Sequence, residues 1–269
     1  MFLNVRMPAG EGVAAGQTAT FKLPVGRQFH EIELTYAGLT LAQMTAIRVF
    51  ANGKVIHRYA AADRDAMNQF DGRAAAAGIL VLPFSRYNMK TRAAESETAL
   101  ITGLDGGITS LYVEIDIDAA AAAPVLSMTA TQTNNPPNVE KGAGTVMHIL
   151  SHTRDPSGAG EFELSDLPRM NPTAQLLNRV FFKPSANAIS KMVVERDSFV
   201  LFERLTALND LQHSDGVRVP VAGWEIIDTT ERGYSSALSL AGDDFRYRLT
   251  VTGAMALTIY TETLGILGD

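Results

Sequence analysis

The chain has 269 residues, a formal net charge of −6 and no cysteine, which excludes a disulfide framework, thiolate metal sites and redox chemistry on sulfur. Apolar residues make up 46% and charged residues 19%, enough apolar side chain for real cores and too little charge for a disordered chain. An acidic chain repels phosphate, so strong non-specific nucleic-acid binding by counterion release is excluded too. The length exceeds a typical single domain and predicts two compact units. The opening stretch MFLNVRMPAGEG has no basic segment leading into a sustained apolar core, and no run approaches the ~20 apolar residues of a membrane span. Neither a signal peptide nor a transmembrane segment is expected.

In chain order, the first elements are strands over Thr18–Leu23 and His30–Gly38, separated by a turn at Gly26. The second of these alternates apolar and polar residues at a period near 2. IRVFANGKVIHRY follows, with Asn52-Gly53 between two alternating segments. Asn-Gly accepts the positive φ angles of a tight hairpin turn. AADRDAMNQFDGR reads as a short polar helix stopped near Asp71-Gly72, GILVLPF from Gly78 to Phe84 as an apolar strand, and SLYVEIDID from Ser110 to Asp118 as an alternating one. The alanine run Ala119–Ala123 before Pro124 reads as a connector, and the Pro/Gly-rich stretch Thr131–Thr145 has no periodicity. The expected division is therefore a first domain over 1–124, a linker over 125–145 and a second domain over 146–269.

The second half repeats the order of the first. A strand over Gln175–Phe182 precedes KMVVERDSFVLFERL, whose turn at Asp197-Ser198 matches Asn52-Gly53 at an offset of 145 positions. TALNDLQHSDG then gives a short helix ending at Asp215-Gly216, offset by 144 from the first. GWEIIDT, FRYRLTVTG and MALTIYTETLG supply the last strands. A repeat this long indicates two copies of a whole domain, not a solenoid. Short strands with frequent turns predict an all-β fold: two tandem jelly-roll β-sandwiches, with short helices in the connections.

The residues that carry chemistry are sparse. The histidines stand at 30, 57, 148, 152 and 213. His148 and His152, four apart in HILSH, share a side of either a helix or a strand, but lack the glutamate of a zinc-protease HExxH motif. No His-x-His exists for a cupin-type metal site. GYSSA, Gly233–Ala237, lacks the second glycine of a nucleophile elbow. The GAG at Gly142–Gly144 lacks a phosphate-loop continuation. Asp63 and Asp65 begin an EF-hand-like string in which Met67 takes the next ligand position. Asp243-Asp244 is a second acidic pair; either pair reads as solvated charge or as a contribution to an ion held with a neighbouring subunit. Trp224, Phe181 and Phe182 read as packing residues. No catalytic or cofactor-binding residue is assigned, no metal ligand can be named, and no enzyme is expected.

The string VAAGQTATFKLPVGRQFHEIELTYAGLTLAQMTAIRVFANGK, Val13–Lys54, resembles the corticovirus major capsid protein family. The likeness continues through EIDIDAAAAAPVLS at Glu114–Ser127 and ELSDLPRM at Glu163–Met170. The resemblance implies a double jelly roll, three copies of which form a pseudo-hexagonal capsomer in an icosahedral shell around an internal membrane and a double-stranded DNA genome. It implies calcium as a structural ion between subunits, with no ligand positions carried over. Implied partners are the chain itself, other capsid and vertex proteins, and viral membrane proteins beneath the shell, with no direct nucleic-acid binding. The implied location is the virion capsid after synthesis in the host cytoplasm. Residues 1–16, as an N-terminal arm, and the segment around 119–145 are expected to make inter-subunit contacts. The alternative is a tandem β-sandwich carbohydrate-binding or adhesion protein, which calls for exposed aromatic side chains on a sheet face.

Overall fold

A computed structural model describes residues 1–86, 98–103, 107–136, 145–171, 173–233 and 236–268. The chain divides into compact units over 1–149 and 150–268. The first contains β1 (Leu3–Arg6), β2 (Thr18–Leu23), β3 (Gln28–Ala37), β4 (Met44–Ala51), β5 (Lys54–Tyr59), α1 (Ala61–Phe70), β6 (Ile79–Pro83), β7 (Leu100–Ile101), β8 (Leu111–Ile117) and β9 (Val125–Thr133). Its sheets run β1-β9-β3-β6, with β7 added on β3, and β2-β8-β4-β5. The strand β10 (Val146–Arg154) begins in this unit, where Ile149 pairs in parallel with His57 of β5.

The rest of β10 enters the second unit. There follow β11 (Gly160–Leu164), β12 (Leu176–Pro184), β13 (Ile189–Arg196), β14 (Phe199–Leu205), α2 (Thr206–His213), β15 (Glu225–Asp228), β16 (Leu238–Ser239), β17 (Phe245–Val251) and β18 (Leu257–Gly265). The sheets run β10-β18-β12-β15, with β16 added on β12, and β11-β17-β13-β14. Adding nine to each strand number of the first unit's main sheets gives the second unit's order. The duplication read from the two hairpins is thus a duplication of a complete jelly roll.

Alternation builds both cores. In the second unit Val180 and Phe182, Met192 and Val194, Tyr247 and Leu249, and Leu257 and Ile259 point into one buried cluster from four strands in two sheets. In the first, Phe21, Ile32, Leu34, Ile47, Val49, Val113 and Ile115 are buried in the same alternating manner. Both hairpin turns have the left-handed backbone expected of them, with φ of 50° and 76° at Asn52 and Gly53 and of 50° and 69° at Asp197 and Ser198.

One expectation is corrected. Residues 125–133 are not linker: they form β9, which pairs with β3 along its length and with β1, so the alanine connector joins two strands of one unit. Ala130 and Gln132 take inward positions on β9, which lowers the apolar contrast that marks a strand. Within residues 1–16, Leu3–Arg6 is a sheet strand and Glu11 bridges Thr20, so this stretch is built into the first unit. Residues 137–144, which include the GAG string, and residues 234–235 of GYSSA lie outside the described residues.

Candidate functional site

The structure scatters the histidines. His30 on β3 meets the Thr133 hydroxyl at 2.9 Å, and His57 on β5 meets the Met147 carbonyl at 3.2 Å while stacking on Phe84. His148 is buried on β10; four residues on, His152 is half-buried and meets the Thr261 hydroxyl at 3.3 Å. His213 ends α2 beside Asn209 and stands 3.9 Å from the Glu231 carboxylate. Burial pushes the pKa of both His152 and His213 down, toward the neutral ring.

The acidic pairs are tied up locally. Asp63 is buried on α1, while Asp65 accepts a bond from Gln69 one turn on, so two carboxylates two apart on a helix diverge. Asp243 and Asp244 each donate a backbone N–H to the Asp197 carboxylate at 2.9 Å; the Asp244 carboxylate is paired with Arg246. Asn52, the hairpin residue equivalent to Asp197, does the same in the first unit, its carbonyl oxygen accepting N–H bonds from Thr109 and Ser110 at 2.8 and 3.2 Å. The Asp197 site is therefore a turn pin with a first-unit counterpart. Among the described residues no group of three or more His, Asp or Glu side chains is placed to hold a metal.

The surfaces are more informative than the interior. On the sheet β11-β17-β13-β14, Arg248 pairs with Glu161 and Glu195, Arg246 with Glu163 and Asp244, and Lys191 with Glu203. Beside this ladder, β14 and α2 expose Phe199, Val200, Leu201, Leu205, Leu208 and Leu211. In the first unit a groove of about 310 Å³ lies beside β1, lined by Val5, Met7, Pro24, Val25, Arg27 and Gln132. Trp224, half-buried, stacks on Tyr260 and meets Phe181 edge-on, so it packs within the unit. Among the described residues no helix is long and apolar enough to cross a membrane. The sequence reading missed the β14–α2 surface, although the run FVLFERLTALNDL, apolar on both faces of a strand and continuing onto a helix, carried the signal.

Two jelly rolls of identical strand order define the double-jelly-roll class. Two family models match: the viral coat protein P2 N-terminal domain over residues 4–134 and the P2 C-terminal domain over residues 146–267. The chain belongs to the viral coat protein P2 family, and its role is structural, not enzymatic. It is 31% identical over 176 residues to the major capsid protein P2 of Pseudoalteromonas phage PM2; the match spans 62% of this chain and 61% of that relative. The crystal structure of that PM2 protein superimposes with a TM-score of 0.88 at 24% identity, covering 99% of this chain and 98% of the other. The major capsid protein of Sulfolobus Turreted Icosahedral Virus gives 0.72 at 10% identity over 99% and 97%. That of Faustovirus gives 0.64 at 6% over 100% and 90%. These three structural likenesses show the fold.

Proposed function

We propose that this coat protein is the major shell-forming subunit of a virion, acting as a trimer. The observation that carries this reading is the repeated strand order. Three copies of a chain with two similar sandwiches present six similar sides, and such a pseudo-hexagonal tile fills a hexagonal lattice by contacts that recur around the ring. Capsomers of this kind close an icosahedral shell around an internal membrane and a double-stranded DNA genome. The partners are other copies, vertex proteins, and membrane proteins beneath the shell; the net charge of −6 suits a tile that does not wrap DNA. Calcium acts in this reading as an ion shared between copies.

The test is the solution mass by light scattering, with and without a calcium chelator. A trimer of the 29.0 kDa chain, about 87 kDa, or a larger assembly is the expected result. A 29 kDa monomer at high concentration overturns the reading, and assembly unchanged by chelation removes calcium from it.

A further inference from the structure

The hairpin that reads most clearly in the sequence is also a chemically perishable one. In an Asn-Gly pair the glycine nitrogen can attack the asparagine Cγ: a C–N bond closes a succinimide ring, and the side-chain amide leaves as ammonia. Water then opens the ring at either carbonyl, giving aspartate or isoaspartate, with water as the only other reactant. Glycine favours the attack because it has no Cβ to obstruct it. At Gly53 an added Cβ would meet nothing within 4 Å, and both turn residues are exposed. Neither bulk nor burial shields the reaction here.

What restrains it is the set of bonds on the Asn52 carboxamide. Its Oδ1 accepts from the Thr109 N–H at 2.8 Å, the Ser110 N–H at 3.2 Å and the Thr109 hydroxyl at 3.3 Å, and its Nδ2 donates to the Gly107 carbonyl at 2.7 Å. The Asn52 N–H donates to the Ser110 carbonyl at 2.9 Å. To reach the Gly53 nitrogen, the carboxamide has to rotate out of its bonds, so the attack waits on an opening of the turn from residues 107–110. The second unit shows why an amide is kept all the same. Asp197 does the equivalent work with a carboxylate that accepts the Asp243 and Asp244 N–H groups, and it has no amide to lose. In the first unit a carboxylate would set an oxygen against the Gly107 carbonyl oxygen across the 2.7 Å that a hydrogen bond now spans. The first turn therefore needs the very donor that makes it perishable.

We propose that Asn52 is a masked deamidation site: the bonds that pin the β4–β5 turn also hold its amide out of reach of Gly53, and modification follows only when residues 107–110 release it. The conversion is one-way. An aspartate at this position keeps the accepting bonds but opposes the Gly107 carbonyl. Isoaspartate adds a methylene to the main chain of a two-residue turn, whose length sets the register of the strands it joins. For a coat protein, which is not replaced once it stands in a shell, the mask governs how long the turn of the first unit lasts.

The test follows the loss of this amide by peptide mass mapping of the full chain, incubated at mildly alkaline pH in buffer and in denaturing urea. Deamidation at Asn52 should run at least about tenfold slower in the folded chain, the factor that one lost hydrogen bond implies. The suppression should equal the hydrogen-exchange protection of the Thr109 and Ser110 amides, because both processes need the same opening. At the same pH, Asn52→Asp should fold and melt below the parent. Equal rates in buffer and urea overturn the mask, as does a faster rate in the folded chain, which would mean that the two N–H groups stabilise the oxyanion of the attack. A suppression unrelated to the protection of those amides removes residues 107–110 as its cause. An Asn52→Asp chain as stable as the parent removes the need for the amide.

Discussion

Among the described residues both units bury charged side chains, Asp63, Arg64, Asp71 and Arg86 in the first and Arg179, Arg218, Asp228 and Glu262 in the second, but the second sets three of its four on sheet strands and the first sets none there. On β3 and β9 the interior polar contact is neutral, His30 with Thr133. On the corresponding β12 and β18, Arg179 and Glu262 form a pair at 2.6 Å with side chains 2% and 0% exposed, and Arg218 meets the buried Asp228 at 2.7 Å. The two halves share a strand order and solve its interior differently. Topology is therefore carried by the apolar alternation and the turns, which both units have, and not by any one polar contact. A buried ion pair specifies more than it stabilises, because desolvation offsets much of the attraction, and its clearest signature is the cost of removing one partner.

That contrast sets the largest expected effect. Glu262→Ala strands the Arg179 guanidinium and should lower unfolding free energy by about 3–5 kcal/mol, whereas Thr133→Val in the first unit should cost about 1 kcal/mol; chemical denaturation of both variants measures the difference. Equal losses would erase the distinction between the halves. The turn pins come next. Asn52→Ala and Asp197→Ala each remove side-chain acceptors and place alanine at a positive φ, so each should cost about 1–3 kcal/mol. Matching losses would show that the pin is one device used twice.

Smaller still is a pH effect confined to the second unit. Glu225, at the start of β15, has its pKa pushed up to about 7, first by burial and then by the neighbouring Asp210 carboxylate, with the Thr206 hydroxyl opposing. A carboxyl whose folded pKa lies above its unfolded value binds more protons folded, so its contribution to stability falls as pH rises from about 4.5 to about 7 and is level above that. Glu225→Gln should therefore melt a few degrees above the parent at pH 8 and together with it near pH 4. A parent that melts with the variant at both pH values would place Glu225 in a water-like setting.

How much of this was legible from residues alone follows from what each segment faces. β4, β8 and β17 alternate cleanly between core and solvent, and their strings read as strands at once. β10 begins with four buried residues in a row, so VMHI shows no alternation and drew notice only for its histidines. β14 fails to alternate for the opposite reason: its first three residues, all apolar, are exposed. Both hairpins were readable because Asn-Gly and Asp-Ser are local devices. The pins on Thr109–Ser110 and Asp243–Asp244 were not, since each joins positions distant in sequence.

Those pins bear on how such a protein can diverge. Asn52 and Asp197 hold chain that returns 57 and 46 residues later, respectively, and the bond geometry is indifferent to what happens in between. Because the register of each sandwich is clamped at the turn, the intervening loops can lengthen, shrink or change chemistry without moving the strands. The chain can thus alter its loops while its sheets stay in register.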